Sequence, residues 1–296
     1  MVPHIFFVRR LHGAWRKPVS ETHEKRAHPP FGRRLGLPSG FQLHYLESGS
    51  GLPVVFLHGS GPGAGAYSNF KQNFPVLVDA GYRAVLPDML GFGHSDKPSG
   101  IDYTLDLFSS TVVELLDALS IGSCVLVGNS LGGAVSLRIA IDHPERVTKL
   151  VLMAPGGIES RETYFSMPGI QKMVSGFVGA GFDREGLRRM LGLLMFDPGQ
   201  VTDELVEERF NILTTQPKDV LARMKIPDMT PELSKIRCPV LGFWGIDDQF
   251  MPPGGYEKIL RACADSRFVM LSRCGHWAMV EHAGEFNRQV LEFLRS

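Results

Sequence analysis

The chain has 296 residues, 44% of them hydrophobic, with 31 basic residues against 31 acidic ones. That length suits one large domain carrying an insertion and is short for three independent cores. A balanced charge builds no long-range field to gather nucleic acid or an anionic membrane, and no run of 18 or more apolar residues offers a helical membrane span, so the partner in view is a small molecule. A homo-oligomer, dimer or tetramer, is left open.

The first segment, 1–38, is rich in Arg, His and Pro and has no acidic residue before Glu21. Its apolar stretch Ile5-Phe6-Phe7-Val8 is too short for the hydrophobic region of a secretory signal and runs into Arg9 and Arg10. It reads as a flexible extension of a cytoplasmic protein, with an organelle transit peptide as the weaker alternative. From residue 39 onward, short apolar runs at 54–58, 83–88, 124–129, 149–154, 240–244 and 268–272 end in Gly, Pro, Asp, Asn or other turn-prone residues, as strands buried on both faces do. Segments 104–119, 131–142, 255–263 and 285–294 carry apolar residues at helical spacing. Strands alternating with helices predict an α/β fold, a mostly parallel central sheet with helices on both faces. The alternation breaks between 156 and 238, where helical patterns at 169–178, 184–196 and 203–213 are rich in Met, Leu and Phe. The expected organisation is a core of 39–155 and 239–296 with 156–238 as a helical lid over the strand ends where ligands bind.

Cys124, Cys238, Cys263 and Cys274 form no C-x-x-C pair and have no histidine-rich partner set. They read as reduced, buried thiols, and neither a metal nor a cofactor is expected.

The chemistry is carried by Gly128-Asn129-Ser130-Leu131-Gly132, a G-x-S-x-G with an apolar strand before it and a helix after it. A serine hydroxyl is a poor nucleophile at neutral pH and needs a base, which in turn needs an orienting acid. Asp248 follows the strand ending at Trp244 and is preferred to its neighbour Asp247. His276, in Cys274-Gly275-His276-Trp277, follows the last strand. Ser130, Asp248 and His276 are therefore the expected catalytic triad, in the chain order Ser, Asp, His of the α/β-hydrolase fold. The oxyanion hole needs one amide from Leu131 and one from the Gly-rich loop His58-Gly59-Ser60-Gly61-Pro62-Gly63, where Ser60 is chosen; His58 itself reads as structural.

His58-Gly-Ser-Gly-Pro-Gly-Ala-Gly, Ser68-Asn69-Phe70, Asn129, Arg209-Phe210 and Cys274-Gly-His-Trp277 together resemble the meta-cleavage product hydrolases, which hydrolyse a carbon–carbon bond in 2-hydroxy-6-oxohexa-2,4-dienoates. The resemblance implies that Arg209 grips the substrate carboxylate, that Asn69, Asn129 and Trp277 position the adjoining oxygen and diene, and that Gly59 and Gly61 line the binding site. A shorter stretch between Arg209 and Pro239, and Ser60 where some relatives carry glycine, lean towards a small substituent beyond the cleaved bond. A carboxylesterase using the same triad is the main rival, and a non-enzymatic small-molecule receptor a remote one. Epoxide hydrolases and haloalkane dehalogenases share the fold but need an aspartate where Ser130 stands.

Overall fold

A computed structural model describes residues 32–178 and 182–296. Eight strands form one sheet: β1 (Arg33–Gly36), β2 (Gln42–Ser48), β3 (Pro53–Leu57), β4 (Arg83–Pro87), β5 (Cys124–Asn129), β6 (Val147–Met153), β7 (Val240–Gly245) and β8 (Ser266–Leu271). Their spatial order is β1-β2-β4-β3-β5-β6-β7-β8. The pairs β1–β2 and β2–β4 are antiparallel and the rest parallel.

The central strands are apolar along most of their length because both faces are covered. In β3, Val54 and Phe56 pack on one side, while Val55 and Leu57 pack on the other, the period-two alternation of a pleated strand. One face is covered by Leu105–Ala118, Leu131–Asp142 and Gly255–Ala262 through residues such as Phe108, Leu115, Leu137 and Ile259. The opposite face meets Phe74–Asp79 and Ala283–Arg295 through Leu77, Phe286, Val290 and Phe293. Thr104 starts the first of these helices by accepting the Leu107 N–H, and Asp106 complements the positive end of its dipole.

The sheet is larger than the sequence predicts. Residues 33–36 of the expected extension pair with 42–45 as an edge strand, so the extension does not run to residue 38; residues 1–31 lie outside the described residues. The reason is that β1 is mostly exposed and has no apolar alternation, so only its partner makes it a strand. β2 was equally invisible as a run, since only Leu43, Tyr45 and Leu46 of its seven residues are buried.

Between β6 and β7 lie the helices Arg161–Ser166, Pro168–Val178, Arg184–Gly192, Asp203–Leu213 and Asp219–Ala222. Three start on side-chain caps: Ser160, Asp183 and Thr202 accept the N–H of Thr163, Gly186 and Leu205. The second of the helical patterns ends at Gly192 rather than 196. A two-residue strand, Met224–Lys225, pairs with Tyr103–Thr104 and ties this segment back to the core.

Candidate active site

The carboxyl ends of β3, β5, β7 and β8 lead into the loops that carry Gly59 to Gly61, Ser130, Asp248 and His276, the edge at which open α/β sheets bind ligands. After β5 the chain turns sharply into Leu131–Asp142, and Ser130 at the bend holds φ 53° and ψ −114°. A non-glycine residue there costs on the order of 1–3 kcal/mol. The bend is held by the Ser130 N–H donating to the Met153 carbonyl at 3.0 Å and by the Gly156 N–H donating to the Ser130 carbonyl at 2.9 Å. The flanking glycines serve space rather than unusual dihedrals: a Cβ on Gly132 would stand 2.0 Å from the Leu57 carbonyl oxygen, and one on Gly128 2.5 Å from that of Gly132.

His276 Nδ1 lies 2.8 Å from Asp248 Oδ2, and both side chains are almost wholly buried. Asp248 Oδ1 accepts the N–H groups of Phe250 and Met251 at 2.7 and 3.1 Å, which fixes the carboxylate. Asp247 is exposed to solvent. With Nδ1 engaged, Nε2 is the nitrogen able to take a proton. The His276 ring and Ser130 line the same cavity; no hydrogen bond joins the hydroxyl to the ring among the described residues, and catalytic hydrogen bonds commonly tighten only once substrate is bound.

The loop after β3 is pinned from beneath by His58. Its Nε2 accepts the Met89 N–H at 3.0 Å, so its Nδ1 is the nitrogen that donates to the Gly59 carbonyl at 2.8 Å. Burial pushes its pKa below the ordinary range, which favours this neutral form. A Cβ on Gly59 would sit 3.2 Å from Ser130 Cβ, so the loop lies directly against the bend. Ser60 and Gly61 line the cavity, while Leu131 opens the helix behind Ser130. Gln216 steadies the loop further, accepting the Gly63 N–H at 2.8 Å.

Arg209, on helix Asp203–Leu213, is 2% exposed. One guanidinium nitrogen donates to Asn69 Oδ1 at 2.8 Å, the Trp277 ring lies 4.9 Å from its central carbon, and its Nε has no hydrogen-bond partner. Burial drops its pKa to about 10. No carboxylate forms an ion pair with it among the described residues. Asn69 Nδ2 in turn donates to Asn129 Oδ1 at 3.4 Å, and Asn129 Nδ2 reaches the Met153 carbonyl at 3.3 Å. The cavity thus joins Gly59, Ser60, Gly61, Asn69, Asn129, Ser130, Arg209, His276 and Trp277. A buried, unanswered cation at one side and a strained serine with a buried imidazole at the other can hold an anionic molecule and attack it at a distance from its charge.

The remaining wall is apolar: Met173, Met190, Leu191 and Leu194, with Pro62. Met173 and Met190 stand out in the sequence as part of a methionine-rich segment, but Met167 and Met195 of the same group do not line the cavity. Leu191, Leu194 and Phe250, whose ring packs 5.3 Å from that of His276, carry no sequence signal beyond being apolar. Among the described residues no group of three or more His, Cys, Asp or Glu is placed to hold a metal ion. No helix among them is long and apolar enough to cross a membrane.

Residues 53–283 match the α/β hydrolase fold family. The chain is 39% identical over 267 residues to a 2-hydroxy-6-oxo-6-phenylhexa-2,4-dienoate hydrolase of Comamonas testosteroni, covering 87% of this chain and 92% of that protein. It is 37% identical over 265 residues to a 2-hydroxy-6-oxononadienedioate/2-hydroxy-6-oxononatrienedioate hydrolase of the same species, covering 86% and 92%. The fold is similar to that of the meta-cleavage product hydrolase of Pseudomonas fluorescens IP01, with a TM-score of 0.78, 28% identity, and 90% of this chain and 98% of that one covered.

Proposed function

This chain belongs to the α/β-hydrolase fold family and, within it, to the meta-cleavage product hydrolases, and from that premise we propose that it hydrolyses a carbon–carbon bond of a 2-hydroxy-6-oxohexa-2,4-dienoate through Ser130, His276 and Asp248. The observation that carries the reading is Arg209: a buried guanidinium without a carboxylate partner, in the cavity of a serine bend, is a socket for an anion. A simple ester needs no such socket.

Cleaving a carbon–carbon bond expels a carbanion, so an electron sink must be made first. The dienol proton moves to carbon, giving a keto acid whose carbonyl is conjugated to the carbon that will leave. Arg209 holds the carboxylate, and Asn69, Asn129 and Trp277 position the oxygen and the chain beside it. His276 Nε2 takes the Ser130 proton as Oγ attacks the distal ketone, and the amides of Ser60 and Leu131 stabilise the oxyanion. Asp248 keeps the ring oriented and answers its positive charge. Collapse breaks the carbon–carbon bond, and the departing dienolate takes the proton back from His276 and leaves as 2-hydroxypenta-2,4-dienoate, with an acyl group on Ser130; water, deprotonated by the now neutral His276, hydrolyses that ester to the carboxylic acid. The substituent beyond the cleaved bond packs on Met173, Met190, Leu191 and Leu194, within the segment 156–238 acting as a lid. The four unpaired cysteines suit a reducing, cytoplasmic setting.

The test is to incubate purified protein with 2-hydroxy-6-oxohexa-2,4-dienoates bearing hydrogen, methyl or phenyl at the 6-position and follow the loss of the yellow chromophore. Turnover that vanishes in Ser130→Ala supports the proposal. A protein that hydrolyses activated esters and leaves every dienoate intact would be a carboxylesterase instead.

A further inference from the structure

Glu281 lies five residues beyond His276, at the end of the short helix Ala278–Glu281. It is half-buried, and its two carboxylate oxygens serve two different parts of the chain. Oε1 accepts the N–H of Gly275, the residue before His276, at 2.8 Å. Oε2 accepts the N–H of Phe196, in the segment between β6 and β7, at 2.6 Å. Two residues before Phe196, the Leu194 carbonyl accepts the N–H groups of His276 and Trp277 at 2.8 and 3.2 Å. The two backbones are pressed together: a Cβ on Gly275 would stand 2.7 Å from the Leu194 oxygen and 3.0 Å from Met195.

Burial pushes the Glu281 carboxyl above the usual range, and its charge is answered foremost by the two main-chain N–H groups, with His282 nearby and the Cys274 thiol 3.9 Å from Oε1. An ionised side chain is a costly choice where an amide or a hydrocarbon would fill the same space. What the carboxylate supplies, and those do not, is a pair of acceptors aimed at two N–H groups on separate strands of backbone.

We infer that Glu281 is a positioning residue for the reaction: it clamps the backbone carrying His276 to that of 194–196 and so sets where Nε2 stands relative to Ser130 Oγ. Asp248 holds the imidazole at Nδ1 and the Phe250 ring packs beside it, but neither fixes the main chain from which the ring hangs. Glu281 fixes that backbone just ahead of His276. The inference rests on the reading of Ser130 as nucleophile and His276 as base.

The experiment compares Glu281→Gln and Glu281→Ala with the parent in two ways, at a temperature well below each unfolding midpoint. One is the rate at which phenylmethylsulfonyl fluoride sulfonylates Ser130, which needs the serine and its base but not Arg209. The other is kcat and KM for a dienoate. Gln keeps an oxygen for one N–H and turns an amide N–H against the other. Loss of one such bond to a charged acceptor is expected to slow sulfonylation and kcat together by about tenfold in Glu281→Gln, and by more in Glu281→Ala, with KM within about twofold. Glu281→Gln that sulfonylates and turns over at the parental rate, with only its melting temperature lowered, would make Glu281 a structural tie and overturn the inference. So would a raised KM with unchanged kcat. A parent protein that is sulfonylated elsewhere, or not at all, would instead sink the site reading and this inference with it.

Discussion

Replacing Arg209 with Met keeps an unbranched apolar stem and removes the guanidinium with its charge, and it separates stability from function. Burial drops the guanidinium from its ordinary value above 12 to about 10. At about 1.4 kcal/mol per pH unit, the folded protein carries a penalty on the order of 3 kcal/mol for holding the charge. Because the pKa is lowered, that penalty is present in full at every pH below about 10 and is relieved only above it, so it applies at pH 7. Against it stand one hydrogen bond to Asn69 and one contact over the Trp277 ring, each contributing about 1 kcal/mol. Arg209→Met is therefore expected to be no less stable than the parent and up to about 1 kcal/mol more so, a rise in melting temperature of roughly 2–4 °C. Its kcat/KM for a dienoate should fall by about a thousandfold, the equivalent of two charge-assisted hydrogen bonds to the carboxylate. Hydrolysis of a small neutral ester should stay within about tenfold. Thermal unfolding and the two steady-state assays read all three quantities. A melting temperature lowered by several degrees would show that Arg209 is a structural ion-pair member after all. Equal losses on both substrates would refute its role as a carboxylate anchor.

The apolar wall of Met173, Met190, Leu191 and Leu194 offers nothing to a second carboxylate, whose burial without a partner costs several kcal/mol. A 6-phenyl or 6-methyl dienoate should therefore exceed 2-hydroxy-6-oxononadienedioate in kcat/KM by about a hundredfold or more; a ratio near one, measured in competition, would contradict the wall as the distal contact. Asp248→Asn can still accept the Phe250 and Met251 N–H groups, so it should fold, yet lower kcat by about a thousandfold or more through the wrong imidazole tautomer; a loss under tenfold would point to Asp247. Asp88 accepts from the His44 ring and from the Ala66 and His94 N–H groups, and these partners, the His44 ring foremost, hold its carboxyl at about 2 against the cost of burial. Its contribution is complete above about pH 4 and lost as pH falls towards 2, so Asp88→Asn should cost about 2 kcal/mol at pH 7. The urea midpoints of the two proteins should converge below pH 4, and a deficit unchanged through that range would speak against a paired carboxylate.

Much of the core was legible because its signals are local. β5, β7 and the Leu150–Met153 end of β6 are covered on both faces, so burial makes them nearly continuous apolar runs, and the helix following Ser130 is marked by the glycines that let it crowd Leu57 and Gly128. β1 and β2 were not legible, since an edge strand is made by the neighbour it pairs with rather than by its own side chains.

The candidate site divides in the same way. The residue types and chain order of Ser130, Asp248 and His276 follow from the amino acids alone, because a strand-to-helix turn and the loops after strands are set by a few adjacent residues. The sequence could rank Asp248 above Asp247 but could not show that one carboxylate is buried on the His276 ring while the other faces water. Nor could it show that Arg209, 140 residues from Asn69, is buried against that amide with no carboxylate paired to it among the described residues, or that Glu281 joins Gly275 to Phe196. Charge compensation and clamping are properties of groups that meet only when distant segments pack, so the tertiary structure alone decided them.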